Sequence, residues 1–375
     1  MALCAEAGYS IQAEPAGCDV VVVNTCGFLA SACEEAIENI LEMAELKKAG
    51  QVKKILVTGC MTQRYKEDIF HELPEVDGLL GTGSYGDIAT AIAEVMEKGE
   101  KPCHLGNIHT ANQSGERILS TPPWYAYLRI AEGCDNHCAY CVIPSLRGKY
   151  RSRPMDELLK EARELADAGV KELLVIAQDI TRYGTDLNGQ HQLAALLREL
   201  CKLDFHWIRL HYLYPDEITD ELIDVIAEEP KIVKYLDIPI QHASDRILKR
   251  MGRRTHKAEL KERIGALRRE IPDIALRTTF ICGFPGETEE DHEELMEFVD
   301  EMEFERVGVF TYSAEEDTPA YSYPDQIPEE VKEERRADVM ELQQEIAFEH
   351  CENMVGKVLD VMIEGKVADE PAYVG

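Results

Sequence analysis

Three cysteines crowd one short stretch, Gly133-Cys134-Asp135-Asn136-His137-Cys138-Ala139-Tyr140-Cys141, in the spacing C-x3-C-x2-C. Three thiolates at that spacing suit three irons of a [4Fe–4S] cube, whose full protein set would be four cysteines. The fourth iron is then open to another ligand. The competing reading is structural zinc, with His137 as a fourth ligand. It is the weaker one, because a structural zinc site closes its tetrahedron and the stretch follows a strand on a ligand-bearing sheet edge.

A second pair lies upstream. Cys26 follows Asp19-Val20-Val21-Val22-Val23-Asn24 and Cys60 follows Lys54-Ile55-Leu56-Val57-Thr58. Both segments read as short buried strands, so both thiols sit at strand C-termini on one sheet edge, and a metal role is favoured over a core role. Cys4, Cys18, Cys33, Cys103, Cys201, Cys282 and Cys351 stand singly, as small buried hydrophobes commonly do.

Alternating strands and helices must position these thiols. Residues 1–102 read as a parallel α/β domain, with a strand at Gly78–Leu80, a helix opened by the capping box Ser31-Ala32-Cys33-Glu34 and another from Tyr85 to Lys98. Residues 103–123 read as a linker. Strands are expected at Tyr125–Ile130, Glu172–Ala177, Trp207–His211, Tyr235–Ile238, Ala275–Ile281 and Arg306–Thr311, with helices between them. Six strands are too few for an eight-stranded barrel and fit a partial (β/α)6 barrel over 124–353. A charged helix is expected at 326–353 and a strand at Lys357–Ile363.

The three-cysteine loop on a partial barrel resembles the radical S-adenosylmethionine (SAM) superfamily. That resemblance implies a cluster on Cys134, Cys138 and Cys141 whose open iron chelates SAM and whose electron yields a 5′-deoxyadenosyl radical. It carries Tyr140, Gln178, Asp179, Gly283, Pro285 and Gly286 over as cofactor-binding positions. An ordinary strand-to-helix turn capped by Thr288 is the plainer reading of the Gly283–Thr288 stretch. With Val23-Asn24-Thr25-Cys26-Gly27-Phe28 and Thr58-Gly59-Cys60 the likeness narrows to the radical SAM methylthiotransferases. Stretches such as Arg151-Ser152-Arg153-Pro154, Ile176–Gly184, Leu213–Glu217, Tyr235–His242 and Arg277-Thr278-Thr279-Phe280 are most similar to the branch that acts on the small-subunit ribosomal protein S twelve.

The resemblance implies methylthiolation of an aspartate β-carbon, with one SAM as methyl donor and a second as radical source. It implies an auxiliary [4Fe–4S] cluster on Cys26, Cys60 and a third cysteine on a strand that the family pattern places before Met1. That ligand is missing here, and Cys4, Cys18 or Cys33 is its possible substitute. Residues 354–375 would begin a C-terminal TRAM β-barrel. Both ends are expected to be truncated relative to that pattern. The partners implied are the basic ribosomal protein, an electron donor and a sulfur donor.

Charge bears on the partner. Net charge is −31, with 40 basic and 71 acidic residues, which opposes a free polyanion and leaves tRNA the weaker substrate. Eleven acidic residues and no Lys or Arg lie from Glu287 through Glu305, a face suited to a basic protein or a merely solvated helix. Arg147, Lys149, Arg151 and Arg153 form a basic strip after the cysteine loop, an exposed loop or a carboxylate-binding one. No run approaches the roughly 18 apolar residues of a membrane span, and the start lacks a basic signal-peptide region, so a cytoplasmic protein is expected. The alternatives are a tRNA adenosine methylthiotransferase and a non-catalytic iron–sulfur protein that binds ribosomes.

Overall fold

The computed structural model describes residues 1–110, 115–368 and 370–375. The short valine-rich and leucine-rich runs near the N-terminus pair in parallel, in the order β1 (Val20–Thr25), β2 (Lys54–Gly59), β3 (Gly78–Gly83), β4 (Cys103–Gly106). Sequence alone puts Cys103–Gly106 in the linker. In the structure Leu79 and Leu80 pair with Cys103 and His104, which satisfies the open ladder edge of β3. Residues 111–114 of that expected linker lie outside the described residues.

Helices α1 (Ala2–Glu6), α2 (Ala30–Lys48), α3 (Cys60–Tyr65), α4 (Asp68–Glu72) and α5 (Ile88–Ala93) cover this sheet. Cys33, Ala36, Ile40 and Ala44 recur at helical spacing and bury against Ile55, Val57 and Leu79. The capping box expected at Ser31 does not form. The helix begins at Ala30 behind Leu29, and its first N–H is met from the other half of the chain, where Ala30 N donates to Glu315 Oε1 at 2.9 Å.

The second sheet has six parallel strands in the order β12-β11-β10-β9-β8-β5. It starts with β5 (Tyr125–Arg129), followed by an antiparallel ribbon of β6 (Ala131–Glu132) and β7 (Arg151–Ser152), with α6 (Ile143–Arg147) between its arms. Helix α7 (Met155–Asp167) leads to β8 (Glu172–Ile176). The helices α8 (Thr185–Asn188) and α9 (Leu193–Cys201) lead to β9 (Trp207–Leu210), and α10 (Asp220–Glu228) leads to β10 (Ile232–Asp237). After α11 (Asp245–Arg250) and α12 (Lys257–Glu270) come β11 (Ala275–Cys282), α13 (Glu289–Met302), β12 (Arg306–Thr311) and α14 (Glu329–Asn353). β5 and β12 are its two edges, so the barrel is open.

Period-two patterning explains which face is which. On β11, Leu276, Thr278, Phe280 and Cys282 are buried under the helices, while Arg277, Thr279 and Ile281 face the lumen half-exposed. Helix α14 buries Lys332, Arg335, Val339, Gln343 and Ile346 in one stripe, and the polar members are bonded: Lys332 Nζ to Tyr312 O at 2.9 Å, Gln343 Nε2 to Phe304 O at 2.8 Å.

The strand expected at Lys357–Ile363 is absent. Val358, Leu359, Val361 and Ile363 are exposed and find no ladder partner among the described residues, and the pairing nearby joins β13 (Gly365–Lys366) to β14 (Tyr373–Val374). No helix among the described residues is long and apolar enough to cross a membrane.

The two sheets are joined by a buried ion pair. Arg64 Nη1 on α3 meets Glu315 Oε2 at 3.0 Å, both side chains about 5% exposed, and Arg64 also donates to Gly27 O and Glu316 O.

Candidate functional site

The β6–β7 ribbon closes the cysteine loop at its base. Gly133 sits at φ +81°, and a Cβ there would lie 2.2 Å from Lys149 O, so only glycine fits where the two arms cross. Cys134 N donates to Gly148 O at 3.2 Å, Tyr150 N to Asp135 Oδ1 at 3.1 Å and Cys141 N to Cys138 O at 3.0 Å.

The turn after α11 grips the crown of the loop residue by residue. Arg254 Nη2 donates to Asn136 Oδ1 at 3.3 Å. Gly252, at φ +74°, leaves room for His137 O, which a Cβ would approach to 3.2 Å. Arg253 Nη1 reaches Cys138 Sγ at 4.0 Å, and Ala139 N donates to Met251 O at 2.8 Å. Four consecutive loop residues thus meet four consecutive residues of the turn. The Arg253 guanidinium is buried, stacked 3.9 Å from the Tyr214 ring centroid, and bonded through Nη2 to Pro239 O at 2.6 Å. The Tyr214 hydroxyl is itself 3.8 Å from Cys138 Sγ.

Burial, reinforced by the neighbouring thiols, pushes Cys134 up to about 11 and Cys141 up to about 12. The thiols are therefore protonated alone, and a bound metal must displace those protons. Among the described residues no three His, Cys, Asp or Glu side chains converge on one metal-ion position. A single tetrahedral zinc would need thiolates roughly 3.8 Å apart. The all-sulfur set, backed by the buried Arg253 cation, fits a cluster in which each cysteine takes its own iron.

The remaining sequence-derived positions fall around this loop in different ways. Both Asp179 oxygens are engaged, by Asn136 Nδ2 at 3.0 Å and by Thr181 N at 3.0 Å, with the Thr181 hydroxyl also bonded to it. Burial raises the Asp179 pKa, opposed by those bonds. Asp179 thereby braces the loop from below. Its neighbour Gln178 keeps a hidden Oε1 with no partner among the described residues, an acceptor available to a ligand's ammonium. The Tyr140 ring packs edge-on against Phe284 at 6.5 Å, and burial raises its hydroxyl pKa.

Gly283, Pro285 and Gly286 form the turn after β11. Gly283 is demanded by the Lys332 stem, 2.2 Å from where its Cβ would stand, and Glu287 Oε2 accepts from Gly283 N at 2.9 Å. Glu287 is fully buried against Arg335 and His242. Its burial acts to raise the pKa, but His242, the Gly283 N–H and Arg335 outweigh it and hold the carboxyl below its usual range. Thr288 caps α13 in a capping box with Asp291, as the plainer reading of this stretch has it.

Cys26 and Cys60 do share one edge. Thr25 pairs with Gly59, and a Cβ on Gly27 would stand 2.6 Å from Met61 N, so the two cysteine turns touch through their backbones. Cys26 is exposed and Cys60 is buried. Cys33 Sγ lies 3.8 Å from Cys26 O, whereas Cys4 is packed with Leu56 and Leu80, in a different cluster. Helix α6, which starts two residues after Cys141, carries Leu146 and Val142's neighbouring turn against Cys60 and Phe28. Burial raises the Cys60 pKa, opposed by Arg147. Arg147 also pairs with Glu132 at 3.3 Å. Of the basic strip, Arg153 is held by Glu161 at 2.7 Å and Arg151 by backbone carbonyls, so much of it is structural.

Sequence reasoning missed Arg253, Arg254 and Tyr214. The available signal was the polar run Arg250-Met251-Gly252-Arg253-Arg254 directly after a helix, with a glycine where the chain must turn.

Comparison with known proteins gives a consistent result. A model of the radical SAM superfamily matches residues 128–299, and one of an uncharacterized protein family, UPF0004, matches residues 1–81. The ribosomal protein uS12 methylthiotransferase RimO of Lachnoclostridium phytofermentans is 55% identical over 100% of this chain and 86% of its own length. The protein of the same name from Clostridioides difficile is 50% identical over 98% of this chain and 83% of its own. Among solved structures, the radical SAM methyltransferase TsrM of Kitasatospora setae superposes with a TM-score of 0.60 at 15% identity, covering 82% of this chain and 64% of that one. The cobalamin-dependent radical SAM enzyme OxsB gives a TM-score of 0.53 at 16% identity, over 88% of this chain and 48% of that one. These two structural likenesses bear on the fold alone.

Proposed function

The chain belongs to the family of ribosomal protein uS12 methylthiotransferases, and we propose that it replaces a hydrogen on an aspartate β-carbon of uS12 with a methylthio group. The observation that carries this reading is the 55% identity along the whole chain, which spans both cysteine sites at once. Cys134, Cys138 and Cys141, all free thiols, would hold a [4Fe–4S] cluster that engages SAM, and Cys26 and Cys60 would contribute to a second cluster. When bound, these groups supply a radical able to take hydrogen from an unactivated carbon, together with the sulfur and methyl that replace it.

The protein's own residues bind and orient. Arg253 presents an N–H and a positive charge to the Cys138 sulfur, which offsets charge on the thiolates. Asp179 fixes Asn136 and so the loop's height over the lumen. Gln178 Oε1, buried and without a partner among the described residues, would accept from the amino group of a bound methionyl moiety. The Gly283–Gly286 turn, pinned by Glu287 and Lys332, gives a nucleoside a rigid backbone edge. We assign 1–102 to sulfur delivery and 124–353 to radical generation. Electrons and sulfur are both consumed, so a one-electron donor and a sulfur donor are required partners, and the site of action is the cytoplasm, where ribosomal proteins are met.

The test offers purified uS12 and tRNA in parallel to the reconstituted chain with SAM and dithionite. A methylthio group on uS12 alone is expected. A methylthiolated adenosine with unmodified uS12 would overturn the substrate.

A further inference from the structure

In a chain of net charge −31, three arginines line the open lumen of the second sheet, two of them paired with carboxylates. Its lumen-facing positions include Arg209 on β9, Tyr235 and Asp237 on β10, Arg277 and Thr279 on β11 and Arg306 on β12. Arg209 Nε bonds Glu172 Oε1 at 2.6 Å and lies over the Tyr235 ring at 5.3 Å. The fields of Arg277, Arg209 and Arg306 all reach the Tyr235 hydroxyl.

Arg277 is held differently from the others. Its Nη1 alone meets both oxygens of Asp237, at 2.8 and 2.9 Å, and Asp237 is 3% exposed. The guanidinium is thus fixed along one edge, and Nη2 has no partner among the described residues. On β12 the register partner of Arg277 is Arg306, and Gly308, two residues further along, pairs with Thr279. A Cβ on Gly308 would lie 3.4 Å from Arg277 Nη2, 3.8 Å from the Phe310 ring and 3.9 Å from Thr279 Oγ1, and Gly308 does not sit in the left-handed region. The missing side chain leaves a gap bordered by two donors, and the Thr279 hydroxyl has no bond among the described residues either.

We propose that Arg277 Nη2 and Thr279 Oγ1 seat the carboxylate of the substrate aspartate in the gap at Gly308, which makes Arg277 the residue that selects an acidic side chain. This rests on the reading of uS12 aspartate as the target. A fixed planar guanidinium with one edge taken offers the other to an oxygen anion at little rotamer cost. Asp237 aligns it from the side away from the ligand. The carboxyl carbon is bonded directly to the β-carbon, so a seated carboxylate places the reacting C–H within one bond length of a fixed point. A carboxamide would fill the same gap without the charge, and the loss of one charge-assisted bond corresponds to about 10- to 100-fold.

The experiment uses the full reconstituted chain and two uS12 peptides that differ only in Asp or Asn at the target. The readout is the ratio of kcat/KM for the two peptides on one preparation, which cancels losses of folded or cluster-loaded protein. The wild-type chain should favour Asp by at least about tenfold. Arg277→Gln should bring the ratio close to one, and Arg277→Lys should restore part of it. Because Arg277→Gln strips Asp237 of its partner, Gly308→Ala serves as the second variant: its new contacts are ordinary ones, so it folds. It should raise KM about tenfold for both peptides and leave their ratio intact. An Arg277→Gln enzyme with the wild-type ratio, or a wild-type enzyme indifferent to Asp and Asn, overturns the inference. A wild-type enzyme that modifies neither peptide and acts on tRNA instead fails the functional reading itself.

Discussion

The two cysteine regions are held in place by different means. The Cys134–Cys141 loop is over-determined within one half of the molecule: a ribbon closes its base, and the Met251–Arg254 turn meets its crown at four successive residues. The Cys26–Cys60 edge is set by backbone contact between two glycine-bearing turns, and its remaining support comes from across the interface, through Arg147, Leu146 and the Arg64–Glu315 pair. The loop draws most of its support from its own half, whereas the Cys26–Cys60 edge also leans on α6 and on the Arg64–Glu315 pair across the interface.

The largest effect should separate the two by substitution of ligands. Cys134→Ala, Cys138→Ala or Cys141→Ala should reduce 5′-deoxyadenosine formation to background with the barrel still folded by circular dichroism. Cys60→Ala should abolish methylthiolated product while 5′-deoxyadenosine still forms. Near-normal cleavage in any of the loop variants would end the distinction. Next in size is the interface. Arg64→Ala strands Glu315 in a buried site and should cost about 3–5 kcal/mol in urea unfolding. Iron lost first from the second cluster, seen as the earlier transition in its absorbance, would sharpen the comparison.

Smaller is the cation under the loop. Arg253→Gln should make the reduction potential of the loop cluster more negative, on the order of 50 mV, because a hydrogen bond and a charge to sulfur are lost. Arg253→Lys should recover part of that shift, and an equal potential in all three proteins would reduce Arg253 to a packing residue. Smallest is the acidic face of α13. Reversing exposed Glu293 and Glu297 to Lys should slow association with uS12 a few-fold at low salt and not at high salt. The face is narrower than its composition suggests, since Asp291 is bound to Arg246 and Ser244, and Glu294 and Glu301 are paired with Lys257 and Lys261.

Much of this fold is legible in the sequence. Period-two strands and helical stripes placed every strand of the second sheet to within a few residues, and the C-x3-C-x2-C spacing marked the loop. What escaped depended on long-range pairing. The acceptor for the first N–H of α2 is Glu315, far along the chain, so a local capping box at Ser31 was the natural expectation and did not form. Cys103–Gly106 reads as a linker because its strand character comes from the open edge of β3. Lys357–Ile363 has strand composition, but no neighbour pairs with it. Arg253 looks like an ordinary surface arginine until the fold buries it beneath a thiol, and Arg277 reads as one residue of a strand until the fold aims it into the lumen.

The loop side of the molecule takes hydrogen from an aspartate β-carbon of uS12. That step is tested most directly with uS12 deuterated at that carbon. Single turnover with SAM and reductant should carry deuterium into 5′-deoxyadenosine in proportion to methylthiolated product. Product formation with unlabelled 5′-deoxyadenosine, or deuterium retained in full on uS12, would contradict it.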